Sequence, residues 1–146
     1  MNVGQGKDAD WAGRLKRTAI DKRPVTGPVA VGSLGLAGDE QVDKPGHGGC
    51  DQAVYVYARE DLDWWVERLG RELLNGTFGE NITTTGLDVS GSLIGEIWRL
   101  GTSVVQITSM RIPCRTRSES ACSAEPRPTR EARHRGAPGP PADRGR

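Results

Sequence analysis

The residues able to do chemistry in this chain fall in two places. In the first, Asp39 and Asp43 flank a turn that runs into His47, itself set between Gly46 and Gly48, with Cys50 and Asp51 just beyond. Glycines on either side of an imidazole let a backbone or ligand approach closely, and the imidazole can donate or accept a proton near neutral pH. A histidine in a glycine turn is equally compatible with a plain surface position. In the second place, Cys114 follows Pro113 in "RIPC", with Arg111 and Arg115 on its two sides. A lone cysteine can be a small buried hydrophobe. Proline nevertheless fixes the backbone beside this thiol, and two cations draw its pKa down from about 8.5 toward the thiolate that ligates soft metals.

The chain that must position these groups has 146 residues, 35% of them hydrophobic, and a mean hydropathy of −0.55. That is room for one soluble domain with a modest core. Its formal net charge of +1 hides two unlike parts. Residues 1–114 carry 12 basic and 15 acidic side chains, whereas residues 115–146 carry 8 arginines against 4 acids, and no lysine. From Arg115 onward there is no Val, Ile, Leu, Met, Phe, Trp or Tyr, and five of the nine prolines lie there. Such a segment cannot bury enough apolar surface to offset its ordering entropy and is expected to be disordered. An arginine-rich tail can attract phosphate backbones, but without aromatic interleaving or helical period nucleic acid is not the expected partner.

The first residues, "MNVGQGKDADW", lack the apolar centre of a secretory leader, and no run reaches the ~18–20 apolar residues of a membrane span. The cytoplasm is the expected compartment. Cys50, Cys114 and Cys122 are an odd number, which suits free thiols or a ligand role better than a disulfide framework. A zinc site from His47, Cys50, Cys114 and Cys122 is one alternative, although no C-x-x-C pair supports it. A basic-tailed partner-binding or nucleic-acid-binding protein is another.

Along the chain, "TAIDKRPVTGPVAVGSLGLAGDEQVD" alternates short apolar runs with Gly and Pro and predicts short strands joined by tight turns. "QAVYVYA", residues 52–58, predicts a strand. In "REDLDWWVERLGRELL", Leu62, Trp65, Leu69 and Leu73 recur at intervals of three and four and predict one amphipathic helix. "NITTTGLDV" predicts a strand leading into a turn, and "IWRLGTSVVQITSMRI" two strands meeting at Gly101. The sum is mainly β with one clear helix, a bent sheet or barrel rather than a doubly wound fold.

Four blocks, "TAIDKRPVTGPVAVGSLGLAGDEQVD", "HGGCDQAVYVYAREDLDWW", "GTFGENITTTGLDVSGSLIGEIWRLGTSVVQITS" and "RIPC", resemble in order and spacing the MOSC domain family (molybdenum cofactor sulfurase C-terminal), in its stand-alone YiiM-like branch. The resemblance runs from about Val3 to Thr116, which places a MOSC domain at residues 1–116 and a tail at 117–146. It implies a β-barrel-like fold that binds the molybdenum cofactor, with Cys114 as the protein ligand to molybdenum. The implied reaction is reduction of N-hydroxylated compounds to the amine, with electrons from a separate reductase. No side chain cycles by two electrons as an oxygen acceptor, so the cofactor must carry that chemistry. On this carry-over His47 and Asp51 join Cys114 as catalytic candidates, His47 for proton delivery or ligand orientation. Asp39 and Asp43 would supply hydrogen bonds, Asn81 of "GEN" an amide contact, and Lys22, Arg23 and Arg111 the cations for the pterin phosphate. Pyridoxal phosphate is a family-level association that belongs to another domain of full-length cofactor sulfurases, and no lysine context here supports it.

The chain departs from the familiar pattern in three places. "HGGCDQA" has Cys50 for the usual proline and Gln52 for the usual lysine, and Met110 stands where a proline usually precedes the arginine. After "CRT" the apolar continuation expected of the family gives way to Arg, Ser, Ala, Pro and Gly. That switch is what a shifted reading frame or a truncation would produce, leaving an incomplete barrel with open sheet edges.

Overall fold

The apolar period of residues 62–73 becomes the centre of the fold. A computed structural model of the chain describes residues 1–111. In it, strand β7 (Val56–Ala58) runs directly into helix α2 (Arg59–Leu69), and the chain returns to strand β8 (Ile82–Thr84), which pairs with β7 in parallel. The register sets Val56 opposite Ile82 and Ala58 opposite Thr84. Parallel strands need such a crossover, and the helix supplies it. Leu62 and Tyr57 meet Leu73 and Phe78 in the buried cluster, with Trp65, Val66 and Leu69 packed against it. Tyr57 and Phe78 meet edge to face, ring centroids 5.4 Å apart. Each large apolar side chain buried this way contributes about 1.5–3 kcal/mol.

The helix is shorter than its apolar period. Gly70 caps it in the left-handed region at φ 60°, so Leu73 belongs to the following loop rather than to the helical face. Leu73 still reaches the core because Arg59, in the first turn of α2, donates from Nη1 to the Leu73 carbonyl at 2.8 Å and to Asn75 Oδ1 at 3.0 Å. The expected strand over residues 52–58 is likewise trimmed. Residues Cys50–Gln52 form a 3-10 turn, and only Val56–Ala58 joins a ladder.

The rest is short strands, as the Gly- and Pro-punctuated sequence predicts. β1 (Asn2–Val3) pairs with β4 (Arg23–Pro24), β2 (Lys7–Asp8) with β3 (Arg17–Thr18), and β5 (Val31–Gly32) with β6 (Gly35–Leu36), all antiparallel. Helix α1 (Lys44–His47) is a single turn. β9 (Ile97–Leu100) and β10 (Ser103–Gln106) form a hairpin in which Leu100 faces Ser103 across Gly101 and Thr102. Ile97 and Val104 are exposed on its outer side. Among the described residues the strands form five separate two-stranded ladders and no closed barrel. Residues 112–146, on which the expected disordered tail falls, lie outside the described residues. Among the described residues no helix is long and apolar enough to cross a membrane.

Candidate functional site

Three distant segments converge on one carboxylate. Lys22 precedes β4, Asp39 follows β6, and Asn81 precedes β8. Lys22 Nζ donates to Asp39 Oδ2, and Asn81 Nδ2 donates to the same oxygen at 2.8 Å. The amide of Gly4 donates to Asp39 Oδ1 at 2.8 Å. Asn81 is fixed in turn, because its Oδ1 accepts from the Tyr55 amide at 3.1 Å and its carbonyl accepts from the Asn2 amide at 2.7 Å. Burial lowers the Lys22 pKa from its usual value, while the bond to Asp39 and its charge work in the opposite direction.

The neighbouring Glu80 is completely buried. Its carboxylate accepts from the amides of Gly76 at 2.6 Å and Phe78 at 3.0 Å and from Thr83 Oγ1 at 3.0 Å. Burial raises its pKa, opposed by those same hydrogen bonds. The carboxylate thereby knots the 76–80 turn that delivers Asn81. Gly76 is the tight point of that turn: its φ is +91°, and a Cβ there would stand 2.3 Å from the Lys22 carbonyl oxygen.

Over this triad lies a cleft of two adjoining chambers. The inner, of about 110 Å³, reaches Lys22, Asp43 and Asn81; the outer, of about 300 Å³, reaches Asp51 and Met110. His47, Gln52, Tyr55 and Arg111 line both. Asp43 caps α1, accepting from the Gly46 amide at 3.2 Å, and its Oδ2 lies 3.9 Å from His47 Nε2. Burial lowers the His47 pKa, and the charge of Arg111 lowers it further, with Asp43 pulling the other way. Residues 108–111 are strapped to the 50–52 turn, since Thr108 Oγ1 donates to the Asp51 carbonyl at 2.6 Å and Arg111 Nη1 to Gln52 Oε1 at 3.1 Å. The Arg111 guanidinium also sits over the Tyr55 ring, 5.4 Å from its centroid.

The structure thus gathers Lys22, Asp39, Asp43, His47, Asn81 and Arg111, and sets Asp51 on the outer wall. It does not bring Arg23 to them. That side chain is exposed and bonded to Asp21 at 3.0 Å, because in an extended segment it points to the face opposite Lys22. Cys114 and Cys122 lie outside the described residues. Cys50 is exposed, and among the described residues no three His, Cys, Asp or Glu side chains are grouped to hold a metal ion. Two contributors were not singled out from sequence. Glu80 has a signal there, a carboxylate between Gly79 and Asn81 in a segment otherwise turning into a strand; Tyr55 has none, being one aromatic in a strand-like run.

The chain matches the MOSC domain family model over residues 43–140 and belongs to that family. It is 40% identical over 114 residues to the uncharacterised protein YflK of Bacillus subtilis (strain 168), a match covering 78% of this chain and 52% of that protein. It is 38% identical over 102 residues to protein YiiM of Escherichia coli (strain K12), covering 68% and 46%. A protein named "Reductase" from Gibberella moniliformis (strain M3125 / FGSC 7600) is 35% identical over 115 residues, covering 70% of this chain and 20% of its own length. Among solved structures, YiiM from Geobacillus stearothermophilus superposes with a TM-score of 0.62 at 35% identity, over 82% of this chain and 53% of that one. The chain spans about half the length of the two bacterial relatives. Its many short strands and few helices agree with this MOSC-like fold.

Proposed function

We propose that this chain is a molybdenum-cofactor-binding MOSC protein whose cleft serves the reduction of N-hydroxylated compounds to amines. The observation that carries the reading is a guanidinium at the wall shared by both chambers: Arg111 forms no ion pair with an acidic side chain among the described residues, and its side-chain hydrogen bond there goes to the neutral Gln52. An uncompensated guanidinium at a cavity wall suits a phosphate, such as the one on a pterin cofactor. Family membership and the name of the Gibberella relative support the same chemistry. When bound, the cofactor supplies a centre that accepts oxygen and cycles by two electrons.

The chain's own residues divide the remaining work. Arg111, with Lys22 lining the same chamber, would hold the phosphate, and the Cys114 thiolate would be the protein ligand that the family resemblance implies. Lys22 is neutralised by Asp39 and acts chiefly as a fixed donor at the floor. His47, whose pKa is lowered by burial and by the Arg111 charge, orients the substrate hydroxyl by a hydrogen bond. Two electrons and two protons convert the N–OH group to N–H and water, and the electrons come from a separate reductase.

The test is to purify the chain from a host that makes the cofactor and to extract and quantify bound pterin by fluorescence. Pterin retained by the wild type and lost on Arg111→Ala is the expected result. Chain that carries no pterin under saturating cofactor would contradict the reading.

A further inference from the structure

We infer that Gln52 is a positioning residue of this cleft, holding the Arg111 guanidinium at the lip shared by its two chambers. The inference deepens the reading above and rests on it for its purpose, though its geometry stands on its own. Gln52 and Arg111 are 59 residues apart in sequence, so nothing local holds them together. The chain after β10 is instead clamped at two points on one short turn, through Thr108 to the Asp51 carbonyl and through Arg111 to Gln52 Oε1. Gln52 also sits firmly, because its amide donates to the Gly49 carbonyl at 3.2 Å and its carbonyl accepts from Gln41 Nε2 at 3.4 Å.

The choice of side chain matters. A guanidinium offers five donors in one plane; one goes to Gln52, the ring of Tyr55 covers a face, and the remaining edge stays available to both chambers. A carboxylate at position 52 would hold Arg111 equally well but cancel its charge. An amide oxygen fixes the cation and leaves its charge uncompensated. Gln52 therefore gives the lip a directed positive charge that a flexible arginine on an exposed strap would lose to solvent.

His47 reports on that charge without any cofactor. The charged groups lining the same chambers are Asp43, Arg17, Lys22, Glu40, Asp51 and Arg111, and of these Arg111 and Asp43 act on the imidazole. The experiment is an NMR titration of His47, its signals assigned by their loss in His47→Asn, in wild type, Gln52→Ala, Arg111→Ala and the double variant. Arg111→Ala is expected to raise the His47 pKa, Gln52→Ala to raise it part of the way, and the double variant to match Arg111→Ala alone. No shift in Gln52→Ala, or the same shift in both backgrounds, overturns the inference. Gln52→Met, which keeps the length and removes the acceptor, repeats the test should the alanine variant lose its native circular dichroism.

Binding of inorganic phosphate gives a second readout. One hydrogen bond is worth about two- to tenfold in affinity, so Gln52→Ala weakens phosphate binding by about that factor in wild type and leaves Arg111→Ala unchanged. Non-additive His47 shifts in a chain that never takes up pterin would sink the cofactor reading and leave Gln52 its role. Pterin uptake with additive shifts would do the reverse.

Discussion

Lys22 and Asp39 form a buried ion pair, their side chains 8% and 2% exposed, and Asn81 donates to the same carboxylate oxygen that Lys22 does. The pair joins the strand region before β4 to the loop after β6, and Lys22 and Asn81 line the inner chamber of the cleft. Burying two charges is offset only when every remaining lone pair and proton is satisfied, and Asp39 meets that condition with three donors.

The two halves of the pair are not equivalent. Asp39→Ala leaves the Lys22 ammonium, the Gly4 amide and the Asn81 amide without their acceptor, and is expected to destabilise the fold by about 3–5 kcal/mol. Lys22→Met also strands a buried charge, but the Gly4 and Asn81 amides still donate to the Asp39 carboxylate, so its cost should be the smaller of the two. Urea unfolding of the two variants checks this. Equal losses would mean that Asp39 is not the hub.

Glu80→Gln probes the knot beneath Asn81. The amide keeps one acceptor oxygen where the carboxylate offered two, so one backbone donor is stranded at a cost of about 1–3 kcal/mol near neutral pH. The folded-state pKa of Glu80 lies above its usual 4.5, so between these two values the folded chain binds more protons than the unfolded one. Stability contributed by Glu80 is therefore greatest at low pH and falls as pH rises through that window. Denaturation across pH 4–8 should show that slope in wild type and lose it in Glu80→Gln; an unchanged slope would contradict the assignment.

Gly76→Ala tests the close approach at the turn. A methyl group there meets the Lys22 carbonyl and must also occupy a positive φ, which together cost at least about 2 kcal/mol. The thermal midpoint should drop accordingly, and Lys22 should lose its native setting. A neutral substitution would show that the turn relaxes freely.

Much of the architecture is legible in local pattern, and the limits are physical. The spacing of Leu62, Trp65 and Leu69 is read correctly as helix, while Leu73 keeps the period by coincidence: Gly70 ends the helix, and Arg59 draws the loop back over the core. Gly101 marks the β9–β10 hairpin as its sequence context predicts. Lys22 and Arg23 are adjacent and chemically alike, and only the pleat decides which one turns toward Asp39. The convergence of Lys22, Asp39 and Asn81 spans 17 and 42 residues, a distance over which no local period carries information. Glu80 shows in sequence only as a carboxylate between Gly79 and Asn81, since its donors Gly76, Phe78 and Thr83 are local but are aimed at it only once the turn and β8 have folded.

Molybdenum content tests cofactor binding by this chain most directly. The chain and its Cys114→Ala variant, both isolated from a cofactor-producing host, should be measured by mass spectrometry for molybdenum per polypeptide. Near-stoichiometric molybdenum in the first and its loss in the second is the predicted result. Molybdenum absent from both, in folded protein under saturating cofactor, would contradict it.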